Sequence, residues 1–326
     1  MRLTLTCWNY DRVAALLDGR INLPGIELNC EVQYPTQIFA NAFTKAPYDI
    51  SELSASSYVM QIARGNCPYI AVPAFISRAF RHGGIYVRSD RGIISPKSLE
   101  GRHVGVPEYQ MTMAVWARGL LSDEFSVNTD QIIYRTGGTN EFGRKERLPL
   151  ELPDHLDVKT IGPGRSLNDL ILKGDIDAII SPSPPLAFIN NNSLVTRLFA
   201  DPKVAEQDYF NRTGIFPIMH LIGIRREIAD ANPGLARTIY DGFCSARDIA
   251  MNELFETATA SANRVQLPWI ANEWEETRSL MGENFWPYGI SKNRAALDAL
   301  CRYSFEQHLA PYKVTLENLF SPETLE

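Results

Sequence analysis

Arg78, Arg81 and His82 place two guanidiniums and an imidazole in one five-residue stretch. A guanidinium is a rigid fork of donors matched to a carboxylate, and an imidazole beside fixed cations is biased toward its neutral, proton-accepting form. On a helix, three-and-four spacing would put all three on one face; in a loop it sets no geometry. A second set, Glu108, Tyr109, Gln110 and Thr112, follows the apolar run at 103–106 and Pro107. That pattern reads as strand, polar loop and helix start, and in an open α/β sheet ligands sit there, beyond the carboxyl end of a strand. A carboxyl at such a place can donate a proton if burial raises its proton affinity. Each set also has a plainer reading: an arginine cluster is commonly an ion-paired surface turn, and Glu108 can simply face the positive end of the next helix.

Other polar residues are weaker candidates. Ser54, Ser56 and Ser57 precede a helical pattern and read first as caps, with hydrogen bonding to a ligand as a second use for Ser54 and Ser56. Arg165 and Ser166 could form an anion pocket at a helix start, although a plain serine cap beside a solvent-facing arginine is the commoner arrangement. His220 lies in an apolar run, where a hydrogen-bonded core histidine is the default; from a strand between lobes it could also point into a cleft. No G-x-S-x-G elbow, Walker motif or dinucleotide fingerprint occurs, and Gly162-Pro163-Gly164 lacks the third glycine. The five histidines, His82, His103, His155, His220 and His308, show no short metal-ligand spacing. No cofactor is predicted, and a divalent metal assembled from distant residues stays open. Trp8, Trp116 and Trp286 could stack on a ring, but core packing is the commoner use of tryptophan.

The elements that must position these residues alternate. Strand-like runs at 2–7, 26–32, 48–53, 69–75, 85–88, 103–106, 131–134, 157–161, 178–181 and 216–224 mostly lead into helical patterns, the signature of an α/β sheet. An amphipathic helix is expected to open near Met111 to Thr112. After residue 233 the chain is mostly helical, with apolar faces at 235–254, 269–280 and 293–309.

A 326-residue chain that is 45% hydrophobic can bury a large core and is long enough for two lobes. The net charge of −6 and the absence of basic runs argue against nucleic-acid binding. No apolar run approaches membrane-spanning length, and the N-terminus lacks the apolar core of a signal peptide. Cys7, Cys30, Cys67, Cys244 and Cys301 are scattered and read as reduced thiols. A soluble cytoplasmic protein is expected, without a membrane partner; a homo-oligomer is compatible with the sequence.

Two segments, Leu99-Glu100-Gly101-Arg102-His103-Val104-Gly105-Val106 and Leu170-Ile171-Leu172-Lys173-Gly174-Asp175-Ile176-Asp177-Ala178, are similar to recurring signatures of type II periplasmic-binding-protein-like folds. More specific are Ser51-Glu52-Leu53-Ser54-Ala55-Ser56-Ser57-Tyr58, Arg78-Ala79-Phe80-Arg81-His82, Val106-Pro107-Glu108-Tyr109-Gln110-Met111-Thr112, Thr213-Gly214-Ile215-Phe216-Pro217-Ile218-Met219-His220 and Phe285-Trp286-Pro287-Tyr288-Gly289. Together they resemble the 4,5-dihydroxyphthalate decarboxylase family, from about Tyr10 to Leu325. The sequence departs from that pattern at His308, where glycine is expected, and after His82, where Gly83 and Gly84 replace bulkier residues.

The resemblance implies an α/β fold with a ligand cleft between two lobes, residues 1–92 with 222–326 and residues 93–221, and with the C-terminal helices packed on the first lobe. It also implies decarboxylation of 4,5-dihydroxyphthalate to 3,4-dihydroxybenzoate by protonation of the ring carbon and loss of carbon dioxide. Such a reaction needs a base at the phenol, an acid near the ring carbon and cations for the remaining carboxylate. On this reading His82 is the base, Glu108 the acid and Arg81 a catalytic cation. Ser54, Ser56, Arg78, Tyr109, Gln110, Thr112, Arg165 and His220 then hold the aromatic carboxylate. The alternatives are a non-catalytic solute-binding protein for a small aromatic or heterocyclic carboxylate, for which an export signal would be expected, and a related lyase with another substrate.

Overall fold

The computed structural model describes residues 1–325 and contains two sheets. The strands are β1 (Arg2–Cys7), β2 (Glu27–Val32), β3 (Ile50–Ser54), β4 (Tyr69–Arg78), β5 (Ile85–Arg88), β6 (His103–Val106), β7 (Ile133–Thr136), β8 (Val158–Thr160), β9 (Ala178–Ile180), β10 (Val195–Arg197) and β11 (Ile218–Arg225). The first sheet has the order β2-β1-β3-β11-β4, with β2, β1 and β3 parallel and β11 antiparallel to both neighbours. The second has the order β10-β5-β9-β6-β7-β8, with β5 antiparallel to β9 and β10. Helices between the parallel strands supply the crossover connections that such pairing requires.

The chain passes from the first sheet to the second between Arg78 and Ile85 and returns through the helix Pro202–Thr213 to β11. The two crossovers are tied together, since the Ala79 N–H donates to the Pro217 carbonyl at 3.2 Å. Sheet membership differs from the expected lobe boundaries. β5 falls within residues 1–92 yet pairs in the second sheet, and β11 straddles 221/222 while pairing wholly in the first. Hydrophobic pattern alone does not say which sheet a short strand joins.

β4 carries Pro73 and lies at the sheet edge, where a residue without an N–H is tolerated. Its outer side is covered, because the Gly289 N–H donates to the Pro73 carbonyl and Ala71 bridges to Phe320. The helix Leu235–Thr259 packs on β4 and on the helix Asp11–Leu17, as expected of C-terminal helices on the first lobe. The helix Arg294–Glu306 does more, packing on both Ala55–Ala63 and Thr112–Phe125 and so joining the lobes.

The helix Thr112–Phe125 starts where expected but is not amphipathic: from Thr112 to Leu121 every residue is buried. Gly119 lets it approach Tyr303, whose ring occupies the space that a Cβ would need. Trp116 donates to the Ile218 carbonyl at 2.9 Å, and the fully buried Arg118 spans the Tyr109 carbonyl and the Gln307 side chain. One apolar core therefore runs from the first sheet through these helices to the second. Each fully buried leucine, valine or phenylalanine in it contributes about 1.5–3 kcal/mol. Among the described residues no helix is long and apolar enough to cross a membrane.

Candidate active site

Strand alternation puts Glu52 and Ser54 on one face of β3. Across the ladder Ser54 pairs with His220 and Glu52 with Ile222, so Glu52 and His220 are diagonal neighbours within side-chain reach. On its other side His220 sits at a break in register with β4, and bulges of this kind re-aim side chains. His220 Nδ1 lies 2.6 Å from Glu52 Oε1, which also accepts from the Tyr10 hydroxyl at 2.8 Å. Glu52 Oε2 accepts the Trp8 backbone N–H at 2.8 Å.

This carboxylate is fully buried, and both of its oxygens are engaged. Burial, followed by the Glu52 charge and hydrogen bond, holds the Tyr10 hydroxyl far above its ordinary value, so it remains a donor. His220 keeps 18% of its side-chain surface exposed, and Nε2 makes no hydrogen bond among the described residues. A carboxylate that holds Nδ1 fixes the tautomer and leaves Nε2 to exchange a proton.

The second lobe adds charge. Glu108, 2% exposed, accepts on Oε1 from Arg144 Nη2 at 2.7 Å and Arg147 Nη2 at 2.9 Å. Burial works against the Arg144 charge, but the Glu108 and Glu141 carboxylates outweigh it and raise its proton affinity above the usual value. Arg147 lies over the Phe39 ring, 5.3 Å from its centroid, and the His220 ring meets Phe39 edge-on at 4.8 Å. The helix Pro35–Ala42 thus presents one ring to both groups. Burial first, then the Glu108 charge, raises Glu146 to about 7 although its Oε1 accepts the Tyr109 N–H. Glu108 Oε2, Glu146 Oε2 and Arg147 Nη1 are buried without partners. Orphaned polar atoms cost stability, and these three leave one carboxylate oxygen on each acid and one guanidinium nitrogen unspent around Glu108.

A scan against models of known protein families finds no match. Among curated proteins, the 4,5-dihydroxyphthalate decarboxylase of Comamonas testosteroni is 38% identical over 326 residues, covering 100% of this chain and 98% of that protein. The chain belongs to the 4,5-dihydroxyphthalate decarboxylase family. The Pseudomonas putida protein of the same name is 40% identical over 210 residues, 64% of this chain and 81% of its own length.

Solved structures agree on the fold. The periplasmic sulfonate-binding protein SsuA of Methylobacillus flagellatus KT matches 100% of this chain and 92% of its own, with a TM-score of 0.55 at 12% identity. A variant of DSZB in complex with biphenyl-2-sulfinic acid matches 99% of this chain and 97% of its own, with a TM-score of 0.51 at 15% identity. The type II periplasmic-binding-protein-like architecture is therefore shared with solute receptors.

Within this family member, the residues singled out from sequence do not converge on one place. His220 joins the pair just described, hydrogen-bonded as a core histidine would be yet open at Nε2. Ser54, Ser56, Gln110 and Thr112 form a buried latch between lobes: Thr112 Oγ1 lies 2.9 Å from Ser54 Oγ and 3.0 Å from Ser56 Oγ, and Ser56 Oγ donates to the Gln110 carbonyl at 2.5 Å. Ser54 does not cap its own helix; Thr112, from the other lobe, accepts the Ser56 N–H at 3.2 Å. Tyr109 is core, packed under Arg118 and against Tyr134. Glu108 is an ion-paired acceptor in this arrangement.

The cationic connector is the crossover itself and is not helical over its length, so Arg78, Arg81 and His82 share no face. Arg78 donates to the Phe216 and Pro287 carbonyls and to Asn293, and burial lowers it to about 9. It lines a cavity of about 350 Å³ with Phe216, Phe285 and Lys292 that contains neither Glu52 nor His220. Arg81 donates to the Met219 sulfur at 3.1 Å, and burial lowers it to about 10. The His82 ring packs on Phe199 and Tyr209. It is neutral, as expected, but chiefly through burial, which with Arg212 lowers it to about 4. Arg165 is solvent-facing, 3.7 Å from Asp175, and Ser166 is a plain cap.

Glu52, Arg144 and Arg147 were not among the sequence candidates. The available signals were an acid in the middle of a strand that is otherwise buried, and paired arginines in the charged segment at 141–153.

Proposed function

We propose that this protein decarboxylates 4,5-dihydroxyphthalate to 3,4-dihydroxybenzoate, with His220 as the proton-transfer group and Arg147 holding the carboxylate that stays. The observation that carries this is an imidazole fixed at Nδ1 by a buried carboxylate, open at Nε2, and sharing the Phe39 ring with a guanidinium that has a free donor. These two take the roles expected of His82 and Arg81; in the crossover Arg78 is held by the Phe216 and Pro287 carbonyls, Arg81 donates to the Met219 sulfur, and His82 Nδ1 is buried without a partner.

Direct loss of carbon dioxide would leave an electron pair in an aryl σ orbital, so the ring must first accept a proton. His220 Nε2 takes the proton of the hydroxyl para to the departing carboxylate, and Glu52 stabilises the imidazolium. The phenolate pushes its electrons to the para carbon, which takes a proton from Glu146, a carboxyl half-protonated near neutrality. The carbon–carbon bond then breaks, carbon dioxide leaves, and the bonding pair restores the aromatic ring. His220 returns its proton to the phenolate oxygen, and solvent reprotonates Glu146. Tyr10, kept protonated, holds the carboxylate of Glu52 in place. All five cysteines are free thiols, which supports a reducing cytoplasmic setting.

The test is to incubate the purified protein with 4,5-dihydroxyphthalate and quantify carbon dioxide and 3,4-dihydroxybenzoate over time. Equal amounts of both are expected, with His220→Ala lowering kcat about 10²–10⁴-fold and His82→Phe leaving it within a few-fold. Absence of turnover in folded wild-type protein would reject this substrate. Undiminished turnover in His220→Ala would reject the assigned base.

A further inference from the structure

Asp130, His155 and His308 are far apart in the chain and meet in space. Asp130 lies in the short turn Thr129–Gln131, His155 in the loop before β8, and His308 just after the helix Arg294–Glu306. Their ligand atoms all lie within 4.8 Å of one another. Asp130 Oδ2 is 3.4 Å from His155 Nε2 and 3.6 Å from His308 Nε2. Both distances are too long for good N–H···O bonds. These two separations are close to tetrahedron edges, because ligands about 2.0–2.1 Å from a zinc ion stand roughly 3.3–3.4 Å apart, and the two imidazole nitrogens lie within 4.8 Å of each other. The two imidazoles meet edge to face at 83°, so neither ring blocks the other.

His308 supplies two further observations. Its Nε2 is buried and has no hydrogen-bond partner, although the side chain as a whole is 33% exposed. Its backbone has φ +61°, a conformation that glycine adopts freely and that strains a residue with a Cβ. A strained position holding an imidazole with an unspent nitrogen, beside a second imidazole and a carboxylate, has the form of a ligand set.

We propose that Asp130, His155 and His308 bind a divalent transition-metal ion, with zinc the best match to two imidazoles and one carboxylate at these separations, and with water completing the tetrahedron. The site shares no residue with the Glu52–His220 cluster and does not depend on the reaction proposed there. Asp130 and His155 flank strands of the second sheet, whereas His308 follows Gln307, whose side chain holds Arg118 and the Val115 carbonyl. The ion is thus a clasp between the C-terminal helix and the second lobe. With side chains 38%, 57% and 33% exposed, it is reached from solvent and exchangeable.

The experiment uses the full chain stripped with a chelator. Zinc is titrated calorimetrically, and cobalt(II) is added as a spectroscopic probe whose visible absorption is intense only in tetrahedral coordination. Wild type is expected to take up one molar equivalent of zinc, to give the tetrahedral cobalt spectrum and to melt at a higher temperature with zinc present. His308→Gly removes a ligand at a position whose backbone suits glycine, so it folds; His155→Ala changes an exposed side chain. Both are expected to lose stoichiometric zinc and the cobalt spectrum. No stoichiometric zinc binding by wild type, or binding unchanged in both variants, would overturn the proposal.

Discussion

A buried carboxylate is stable only where its oxygens are engaged, and Glu52 engages both with Trp8, Tyr10 and His220. The arrangement is costly to keep unless His220 is used, because the same strand position would pack a leucine without any desolvation. Arg147 is the complementary case, since one of its terminal nitrogens is bonded to Glu108 and the other is free. A charge-assisted bond from that nitrogen to a substrate carboxylate is worth about 1.5–3 kcal/mol, or roughly 10–150-fold in affinity. Arg147→Ala is therefore expected to raise KM by that order with kcat nearly unchanged, and steady-state kinetics checks it. Glu108 keeps Arg144 as a partner in this variant, so the fold is retained. An equal fall in kcat with unchanged KM would move Arg147 from ground-state binding to the transition state.

At the scale of elements, the site depends on how strand ends and helix starts are brought together. β11 breaks register at His220, and the start of the helix Thr112–Phe125 meets the start of Ala55–Ala63 through serine and threonine hydroxyls, the Ser56 N–H and Gln110. That contact is close because the first of these helices also lies against Arg294–Glu306 at Gly119. Helix propensity by itself predicts that Gly119→Ala stabilises the protein by about 1 kcal/mol. The Tyr303 ring occupies the Cβ position, and overpacking of this kind costs about 1–3 kcal/mol. The variant is expected to be less stable than wild type, by up to about 2 kcal/mol once propensity is subtracted, measured by urea unfolding. A gain in stability would mean that the ring has room to move.

For the whole molecule, two buried titratable groups on different elements pull the pH dependence of stability in opposite directions. His82 is lowered to about 4, so the folded state resists protonation and stability falls as the pH drops from the ordinary histidine value of 6.5 toward 4. Glu146 is raised to about 7, so the folded state holds a proton that the unfolded chain releases, and stability falls as the pH rises from 4.5 through 7. Glu146→Gln removes the second effect. Relative to wild type it is expected to gain nothing near pH 4.5 and on the order of 3 kcal/mol by pH 8. Denaturation at both ends of that range tests it, and a constant difference would show that Glu146 ionises freely.

The alternation of strands and helices, the polar loop after β6 and the helical C-terminal third were legible in the sequence because period and punctuation are local properties. Family membership was legible too, because motifs such as Ser51–Tyr58 and Val106–Thr112 are contiguous. His220 was visible only as a choice between core and cleft, and nothing local paired it with Glu52, 168 positions away in the chain. The cluster Arg78–His82 was conspicuous in sequence, yet the fold places it in the interlobe crossover, where carbonyl oxygens hold Arg78, the Met219 sulfur meets Arg81 and aromatic rings pack on His82. Sequence by itself determined the elements and the family, since both are written in neighbouring residues. Tertiary structure decided which sheet β5 joins, that Glu52 fixes His220 at Nδ1 and that Glu108 engages one terminal nitrogen of Arg147, because those depend on what distant segments place against each side chain.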